Sequence, residues 1–448
     1  MKMNKITAAL MTVGLVSAAS VANAANNTFT DTANRLGGGA GTVYEVVYVT
    51  GSTAFRTSIN NILAQGNGGA NAGGFFTGTG PTHTDQPNTS QRLYAGVIND
   101  GSGNHFIIDT DFTGSEAGLA SLHSAAIPYP PDHSLAGAPA GNVNLPNTPT
   151  PAGFTDPATG ADNISHVPDL ALSDTSKTVS FSSGTALTDM NGGSPVCIIP
   201  FEWVKGNYNG VGAKSASWTD LTGIATYQLF FFLAAGHEPA NYFTGKSADT
   251  QNVFLVGRNE GSGTRANTTT EAGLLPPFAF NQYVPNGCTY VADSTGNPVL
   301  TSPGTPVWPA GSPHSLGIGF EGFDSGGTVA TALSADSSVG TFITLAYLGL
   351  SDAGTAITGH GLAITLDGKS ENDGNVINGS YAFWGYEHLY GQVSPSGDAT
   401  QAANNLLAQV SSFFGTQTWP DANQDLAIDP NAMNANRPGL ADTGYPTQ

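Results

Sequence analysis

The residues best suited to chemistry lie in one short segment, 258–265, which contains two arginines, two glycines, a serine and a threonine. The chain has only 13 Lys and Arg residues, so two arginines this close together are unusual. Backbone N–H groups, hydroxyls and a guanidinium in one turn are the donors with which proteins hold an oxyanion. The segment predicts an oxyanion site. A plain turn, with Arg258 paired to a surface carboxylate and Arg265 in a structural role, is the alternative.

The elements that must position this segment show a repeated pattern. The apolar run 253–256 precedes it, and the runs 43–49, 105–108 and 170–172 are each followed by a polar turn and then by helical spacing. Strands that alternate with helices favour a parallel α/β sheet, in which ligands bind beyond the carboxyl ends of the strands. We therefore expect the four turns to lie together at one edge of a sheet. A helix N-cap is the alternative role for serine and aspartate in such turns.

The composition indicates a globular protein and disfavours several classes of partner. Charged residues are 10% and hydrophobic residues 39% of the 448 positions, with 58 glycines and 27 prolines, as in loop-rich globular proteins. A formal net charge of −20 makes nucleic acid and anionic membrane surfaces poor partners. The nine histidines lack metal-ligand spacing and no activated nucleophile is evident. We therefore expect no cofactor, no metal and no enzymatic activity.

The first residues have the pattern of a secretion signal. Two early lysines, the apolar stretch 6–21 and a small-residue site at 22–24 predict cleavage near Ala24 and a periplasmic or secreted mature chain. The apolar stretch is too short to span a bilayer, and we expect no integral membrane segment. Export permits a disulfide between Cys197 and Cys288, but the sequence does not decide whether they meet.

Four motifs, in order, resemble those of the phosphate-binding proteins of ABC importers, within the type 2 periplasmic binding proteins. Residues 51–55 resemble the first phosphate loop of that family and 114–118 the second. Residues 172–174 resemble its Ala-Ser-Asp segment, and 258–264 match its Arg-x-x-Gly-Ser-Gly-Thr pattern, which is the most specific of the four. Glu116 departs from the family because it replaces a small residue and brings negative charge near the expected anion.

The resemblance covers most of 43–392, with longer insertions at 65–88 and 126–161 that we take as surface loops. It implies an α/β fold of two lobes that are joined by two crossover strands and close on the ligand like a hinged clamp. The expected division is a signal peptide at 1–24, a flexible leader at 25–42, lobe one at 43–201 plus 381–448, and lobe two at 202–380.

The resemblance also implies which residues hold the ligand. Arg258 gives a charge-assisted fork to the anion. Asp174 accepts a hydrogen bond from a protonated anion such as hydrogen phosphate and rejects sulfate, which has no proton to donate. The expected ligand-binding set is Ser52, Thr53, Phe55 through its N–H, Ser115, Asp174, Arg258, Ser262, Gly263 and Thr264.

Three functions fit this sequence. The first is an exported solute-binding protein that captures phosphate, or a related oxyanion, for an ABC-type permease. The second is a secreted surface or matrix protein that uses the same fold to bind glycan or protein. The third is a phosphoric-ester hydrolase on a related fold.

Overall fold

The chain is described here by a computed structural model that covers most of the positions between 27 and 437. The described residues are 27–31, 34, 36–66, 74–85, 91–123, 143–144, 165–166, 168–177, 180, 187–206, 214–274, 278–285, 287–288, 290–293, 296–300, 313–336, 342–415 and 426–437. The predicted signal peptide at 1–24 lies outside the described residues, as does the insertion at 126–161 apart from 143–144.

The described residues form short strands and helices in alternation. The strands are β1 Asn27–Asp31, β2 Thr42–Gly51, β3 His83–Asp85, β4 Gln91–Val97, β5 His105–Asp111, β6 Val143–Asn144, β7 Ser165–His166, β8 Leu170–Ser173, β9 Thr188–Asp189, β10 Cys197–Lys205, β11 Gly223–Ile224, β12 His237–Pro239, β13 Asn252–Val256, β14 Phe280–Val284, β15 Tyr290–Ala292, β16 Pro298–Leu300, β17 His314–Gly319, β18 Phe342–Gly349, β19 Leu362–Leu366 and β20 Trp384–Gly391. The helices are α1 Arg56–Ala64, α2 Ser115–His123, α3 Ala216–Asp220, α4 Thr226–Ala235, α5 Ala240–Thr244, α6 Gly263–Glu271, α7 Gly326–Ala335, α8 Leu350–Thr358, α9 Asp373–Ile377 and α10 Gly397–Gly415, followed by a 3-10 turn at Pro430–Ala432. Among the described helices, none is both long and apolar enough to cross a membrane.

One large sheet carries the fold. Its strand order is β12-β13-β18-β10-β20-β8-β2-β5-β4-β3, with β1, β9, β11 and β19 attached alongside. β2 runs parallel to both β5 and β8, and β13 runs parallel to β18. The predicted α/β class is therefore confirmed, with a parallel core in each half of the sheet.

Two antiparallel strands connect the halves. The first part of β10 pairs with β20, and its second part, Phe201–Lys205, pairs with β18. The second part of β20 pairs with β8. Trp203 packs between these elements, stacked on Phe383 at 5.8 Å and edge-on to Tyr347 at 5.8 Å between ring centroids. Two lobes joined by two crossover strands are thus confirmed.

Two stretches contribute to the fold, although the sequence suggests that they are peripheral. The leader, expected to be flexible, supplies β1, which pairs antiparallel with β2. Phe29 is buried there, and the Asp31 carboxylate accepts the Leu36 N–H at 2.8 Å. In the insertion 65–88, Phe75 and Phe76 are buried in the main core. Both stretches look polar overall, so a few buried aromatic residues were overlooked.

Both cysteines are free and buried, so the disulfide that the sequence left open is not formed. Cys197 belongs to the main core around β10. Cys288 lies in a separate core cluster with α7, where its Sγ donates to Ala332 O at 3.4 Å. The two thiols pack in different cores, so neither can reach the other.

Candidate functional site

The polar turns after β2, β8 and β13 and before α2 meet at one place, which we call the interlobe junction. Ser52 donates its N–H to Leu172 O at 2.8 Å. Gly51 has φ +116°, and a Cβ there would collide with Leu172 O, so this close approach needs glycine. Ala117 of α2 donates its N–H to Gly261 O of the other lobe at 3.2 Å. The sheet edge therefore gathers these turns as the repeated pattern predicts.

Arg258 is the buried cation of the junction and is only 2% exposed. Its Nη1 donates to Thr53 Oγ1 of the opposite lobe at 3.2 Å. Nη2 donates to Asp324 O at 2.8 Å and Nε to Phe323 O at 3.3 Å. None of the described carboxylates forms an ion pair with this guanidinium. Its direct partners are all neutral, so its charge is not neutralised at contact distance.

Tyr347 and Gln282 fix the backbone of Arg258. The Arg258 N–H donates to Tyr347 Oη at 3.1 Å, and Tyr347 Oη donates to Gln282 Oε1 at 2.9 Å. Gln282 Nε2 completes the ring by donating to Arg258 O at 2.8 Å. This ring fixes the point from which the guanidinium extends.

The start of α6 presses against Asp174. Ser262 caps the helix, since its Oγ accepts the Arg265 N–H at 3.2 Å. A Cβ at Gly263 would collide with Asp174 Oδ1, so the carboxylate lies directly against the first turn. Thr264 is buried in that turn. A helix N-terminus favours negative charge because its first N–H groups lack helical partners. The Asp174 carboxylate benefits from this position.

Asp174 links both lobes. Ser115 Oγ donates to Asp174 Oδ1 at 2.6 Å and lies 3.2 Å from the Asp174 N–H. From α6, Asn267 Nδ2 donates to Asp174 O at 2.7 Å. Burial raises the pKa of Asp174 to about 6, although the Ser115 hydrogen bond and the charge of Arg258 act to lower it. The carboxyl is therefore mostly ionised at neutral pH and gains its proton as pH falls through about 6.

Phe55 is placed at the junction, but its N–H is already used. It donates to Ser52 Oγ at 3.3 Å within the same turn, directly before α1. Ser52 and Thr53 are both buried. Of the nine expected residues, the structure brings Thr53 to Arg258, and Ser115 and Gly263 to Asp174. Ser52, Phe55, Ser262 and Thr264 lie in the same turns.

Two hydroxyl groups compensate the negative charge of Glu116, which the sequence predicts to lie near the anion. Its Oε1 accepts from Thr175 Oγ1 at 2.7 Å, and its Oε2 accepts from Ser180 Oγ at 2.5 Å. The side chain is fully buried. The carboxylate anchors the segment that follows Asp174, which explains why a longer side chain is accommodated here.

Arg265 has the structural role that was the alternative for it. Its Nη1 donates to Arg258 O at 2.9 Å and its Nη2 to Gly319 O at 2.9 Å. The guanidinium also stacks over the Phe280 ring, 4.0 Å from its centroid. The Arg265 guanidinium therefore donates to backbone carbonyls, and its bond to Arg258 O stabilises the turn that carries Arg258.

Three further ionisable residues lie near Arg258 or Asp174 and were not predicted from the sequence. Arg56 opens α1, and the charge of Asp352 acts to raise the pKa of both Arg56 and Arg258 against the lowering effect of burial. Asp352 lies against the start of α7, because a Cβ at Gly326 would collide with its Oδ2. Glu387 lies on β20, near Asp174. Arg56 directly follows the first loop motif and could have been found, but Asp352 and Glu387 carry no local signal.

The described parts of the chain contain no group of three or more His, Cys, Asp and Glu residues arranged to hold a metal ion. The donors gathered here are a guanidinium, hydroxyls and backbone N–H groups. Such a set suits an anion rather than a cation.

No protein-family model matches the chain, and no curated protein matches it. Solved structures with a similar fold do occur. A Clostridium perfringens protein assigned to phosphate ABC transport, solved with bound phosphate, is 11% identical, with 82% of this chain and 93% of that chain covered and a TM-score of 0.38. An ABC-type phosphate transport receptor from Vibrio cholerae is 11% identical, with 82% and 98% covered and a TM-score of 0.37. PstS from Borrelia burgdorferi is 10% identical, with 81% and 92% covered and a TM-score of 0.33.

Proposed function

We propose that this chain is an exported solute-binding protein that holds a small tetrahedral oxyanion, hydrogen phosphate first among them, at the interlobe junction. The observation that carries the proposal is that Arg258 and Asp174 approach from opposite halves of the sheet without forming an ion pair, near enough for the charge of Arg258 to lower the pKa of Asp174. Arg258 contacts Thr53 at 3.2 Å, while Asp174 contacts Ser115 and the start of α6. A cation, a carboxylate and hydroxyls in one dry place suit a protonated anion.

The carboxylate is the selective element of the proposed site. An ionised carboxylate repels an anion unless that anion donates a hydrogen bond to it. Hydrogen phosphate and hydrogen arsenate carry such a proton near neutral pH, whereas sulfate does not. Asp174 therefore favours the protonated oxyanions and disfavours sulfate.

The remaining donors come from the turns already described. We propose that Ser52, Thr53, Phe55 N–H and Ser115 serve from lobe one, at 43–201 plus 381–448. Arg258, Ser262, Gly263 and Thr264 serve from lobe two, at 202–380. Internal acceptors now use several of these donors, such as Thr53 Oγ1 for Arg258. The anion would take their place, and exchange of a neutral acceptor for a charged one strengthens each hydrogen bond.

The partner we propose is an ABC-type permease that receives the anion. The predicted signal at 1–24 supports delivery to the periplasm or beyond. An anion-specific receptor in that compartment needs a transporter to pass its cargo across the membrane.

Thermal melting with a panel of oxyanions tests the proposed function. A ligand of the folded state raises the melting temperature as its concentration exceeds the dissociation constant. We expect phosphate and arsenate to raise it and sulfate to have little effect. Melting curves that are unchanged by millimolar phosphate, arsenate, sulfate and molybdate would contradict the proposal.

One observation favours the second candidate, a secreted surface protein that binds protein or glycan. α4 exposes Tyr227, Phe230 and Phe231, and the first of these is 76% exposed. Exposed aromatic residues on one helix face are typical of contact surfaces. Melting that responds to no oxyanion, together with retention of the protein on a glycan or protein array, would favour this candidate.

A further inference from the structure

Glu387 places a second carboxyl beside Asp174, deep in the interlobe junction. β20 pairs antiparallel with β8, and His388 lies opposite Ser173. Glu387 directly precedes His388 and Asp174 directly follows Ser173, so the two residues are neighbours at the end of this strand pair. Glu387 is 0% exposed and Asp174 is 2% exposed, so both carboxyls are enclosed.

Among the described residues, the groups that shift the pKa of Glu387 include no cation. Cys197 lies opposite it on β10, and burial together with the charges of Glu387 and Asp174 raises the pKa of that thiol well above its ordinary value. Ser52 is the nearby hydroxyl. Neither carboxyl oxygen of Glu387 makes a hydrogen bond of normal geometry to a described residue. His388 follows on the same strand, and its ring lies 3.9 Å from Asp189.

An ionised carboxylate in this position is strongly disfavoured. Burial removes its water, and the charge of Asp174 repels it, so both raise the pKa of Glu387 well above its ordinary value, against a smaller lowering by Ser52. Arg258 acts on Asp174, where its charge lowers the pKa. Two neighbouring buried carboxyls cannot both be ionised, so the pair keeps one proton. The proton resides on the member without a cation.

We propose that Glu387 is a specificity-determining residue of the anion site, because it carries the proton of the Glu387–Asp174 pair and leaves Asp174 as the single ionised acceptor. This inference rests on the proposed function for its ligand. As a neutral acid, Glu387 adds no charge against the anion, while Asp174 still selects for an anion that carries a proton. If rising pH removes the Glu387 proton, a second negative charge appears beside the anion and weakens its binding.

The binding test compares wild type with Glu387→Gln, which has the shape of the neutral acid but cannot ionise. Calorimetric titration with inorganic phosphate measures the dissociation constant of each protein as pH rises. We expect the wild type to lose affinity relative to Glu387→Gln, because only the wild type can gain a second negative charge beside the anion. A variant that binds phosphate about tenfold more tightly at neutral pH would show that Glu387 is ionised, and overturns the proposal.

Unfolding of the ligand-free protein tests the protonation of Glu387 without an anion. The folded state holds a proton that the unfolded carboxyl loses, so the wild type should lose stability relative to Glu387→Gln as pH rises. The difference should reach about tenfold in the unfolding equilibrium constant per pH unit for one proton. Glu238→Gln on β12, at the far end of the sheet, is the control for loss of a carboxyl away from the junction.

The two measurements separate the possible failures. Absence of phosphate binding in both proteins overturns the proposed function and the role of Glu387 in specificity. The unfolding data then still decide whether Glu387 holds the proton. Parallel unfolding curves for wild type and Glu387→Gln across the pH range overturn the protonation itself, whatever the binding data show.

Discussion

The interlobe junction and the region around Arg437 both contain a buried arginine and a buried carboxylate, but they use them differently. Arg437 packs against β20 and α6. Its Nη2 lies 3.1 Å from Glu271 Oε2, and its guanidinium stacks on Trp384, 4.6 Å from the ring centroid. At the junction, Arg258 contacts a hydroxyl and two carbonyls, while Asp174 is held by Ser115 and the start of α6.

The difference separates a structural use of charge from the binding use that we propose for the junction. In a direct buried pair, each charge compensates the other. The segment around Arg437 is also tied to the fold by paired backbone bonds between Ile428 and Ile198 at 2.9 and 3.0 Å, and Asn434 donates its N–H to Ile377 O at 2.8 Å. At the junction the two charges are kept out of direct contact, so an anion can engage both.

The largest expected effect comes from breaking the direct pair. Arg437→Met leaves Glu271 buried without its cation, and we expect the free energy of unfolding to fall by about 3–5 kcal/mol. Urea unfolding measures this loss. The phosphate affinity of the folded protein should stay unchanged.

Lys246→Met is the matched control, because Lys246 pairs with Asp220 at 2.7 Å but is 59% exposed. An exposed pair contributes at most about 1 kcal/mol. An equal loss in both variants would mean that burial does not distinguish the two pairs.

The second prediction concerns the separated pair. Arg258→Ala removes the cation of the proposed site, so we expect anion binding to weaken by at least about 1.5–3 kcal/mol, the contribution of a hydrogen bond to a charged group. Calorimetric titration with phosphate measures it. Arg437→Met serves here as the control that keeps its affinity. If the dissociation constant of Arg258→Ala equals that of wild type, Arg258 is not part of the site.

The third prediction tests how closely the lobes approach. Gly263→Ala places a methyl group where Asp174 Oδ1 lies, so we expect a loss of about 1–3 kcal/mol in stability, as for overpacking of a core, together with weaker anion binding. Gly354→Ala in α8 is the matched control, since nothing lies within 4 Å of the position that its Cβ would take. That change should instead stabilise the helix by about 0.5–1 kcal/mol.

Local patterns predicted the strands and turns, because strands and turns depend on residues that are neighbours in the chain. The apolar runs at 43–49 and 253–256 fall on β2 and β13, and the expected turns follow them. Gly263, Ser115 and Asp174 were named from a resemblance, but their mutual contact depends on how α6 meets the opposite lobe. No spacing along the chain encodes that approach.

The features that were not predicted from the sequence depend on contacts between distant parts of the chain or on the local shape of a turn. Glu387 lies 213 positions after Asp174 in the sequence, and the pairing of β20 with β8 brings the two residues near each other. Asp352 is placed by the packing of α8 on α7. The bond from the Phe55 N–H to Ser52 Oγ was not predicted, because it depends on the shape of the turn. Long-range pairing and side-chain competition for donors decide these cases.

The smallest expected effect comes from Asp174→Asn, which changes selectivity more than affinity. Burial raises the pKa of Asp174 from 3.8 to about 6. Above that pH the carboxylate accepts only from a protonated anion, whereas an asparagine amide also donates to sulfate. We expect the preference for phosphate over sulfate to fall by about tenfold, or about 1.4 kcal/mol.

The pH dependence sharpens this test. The folded protein binds the Asp174 proton more tightly than the unfolded chain, so wild type loses stability as pH rises from 3.8 towards about 6, and Asp174→Asn does not. In binding, wild type should discriminate against sulfate above this range and lose that discrimination below it. Calorimetric titration with both anions on either side of the transition measures this. Equal discrimination by wild type and variant would show that another acceptor, and not the carboxylate held against α6, reads the proton of the anion.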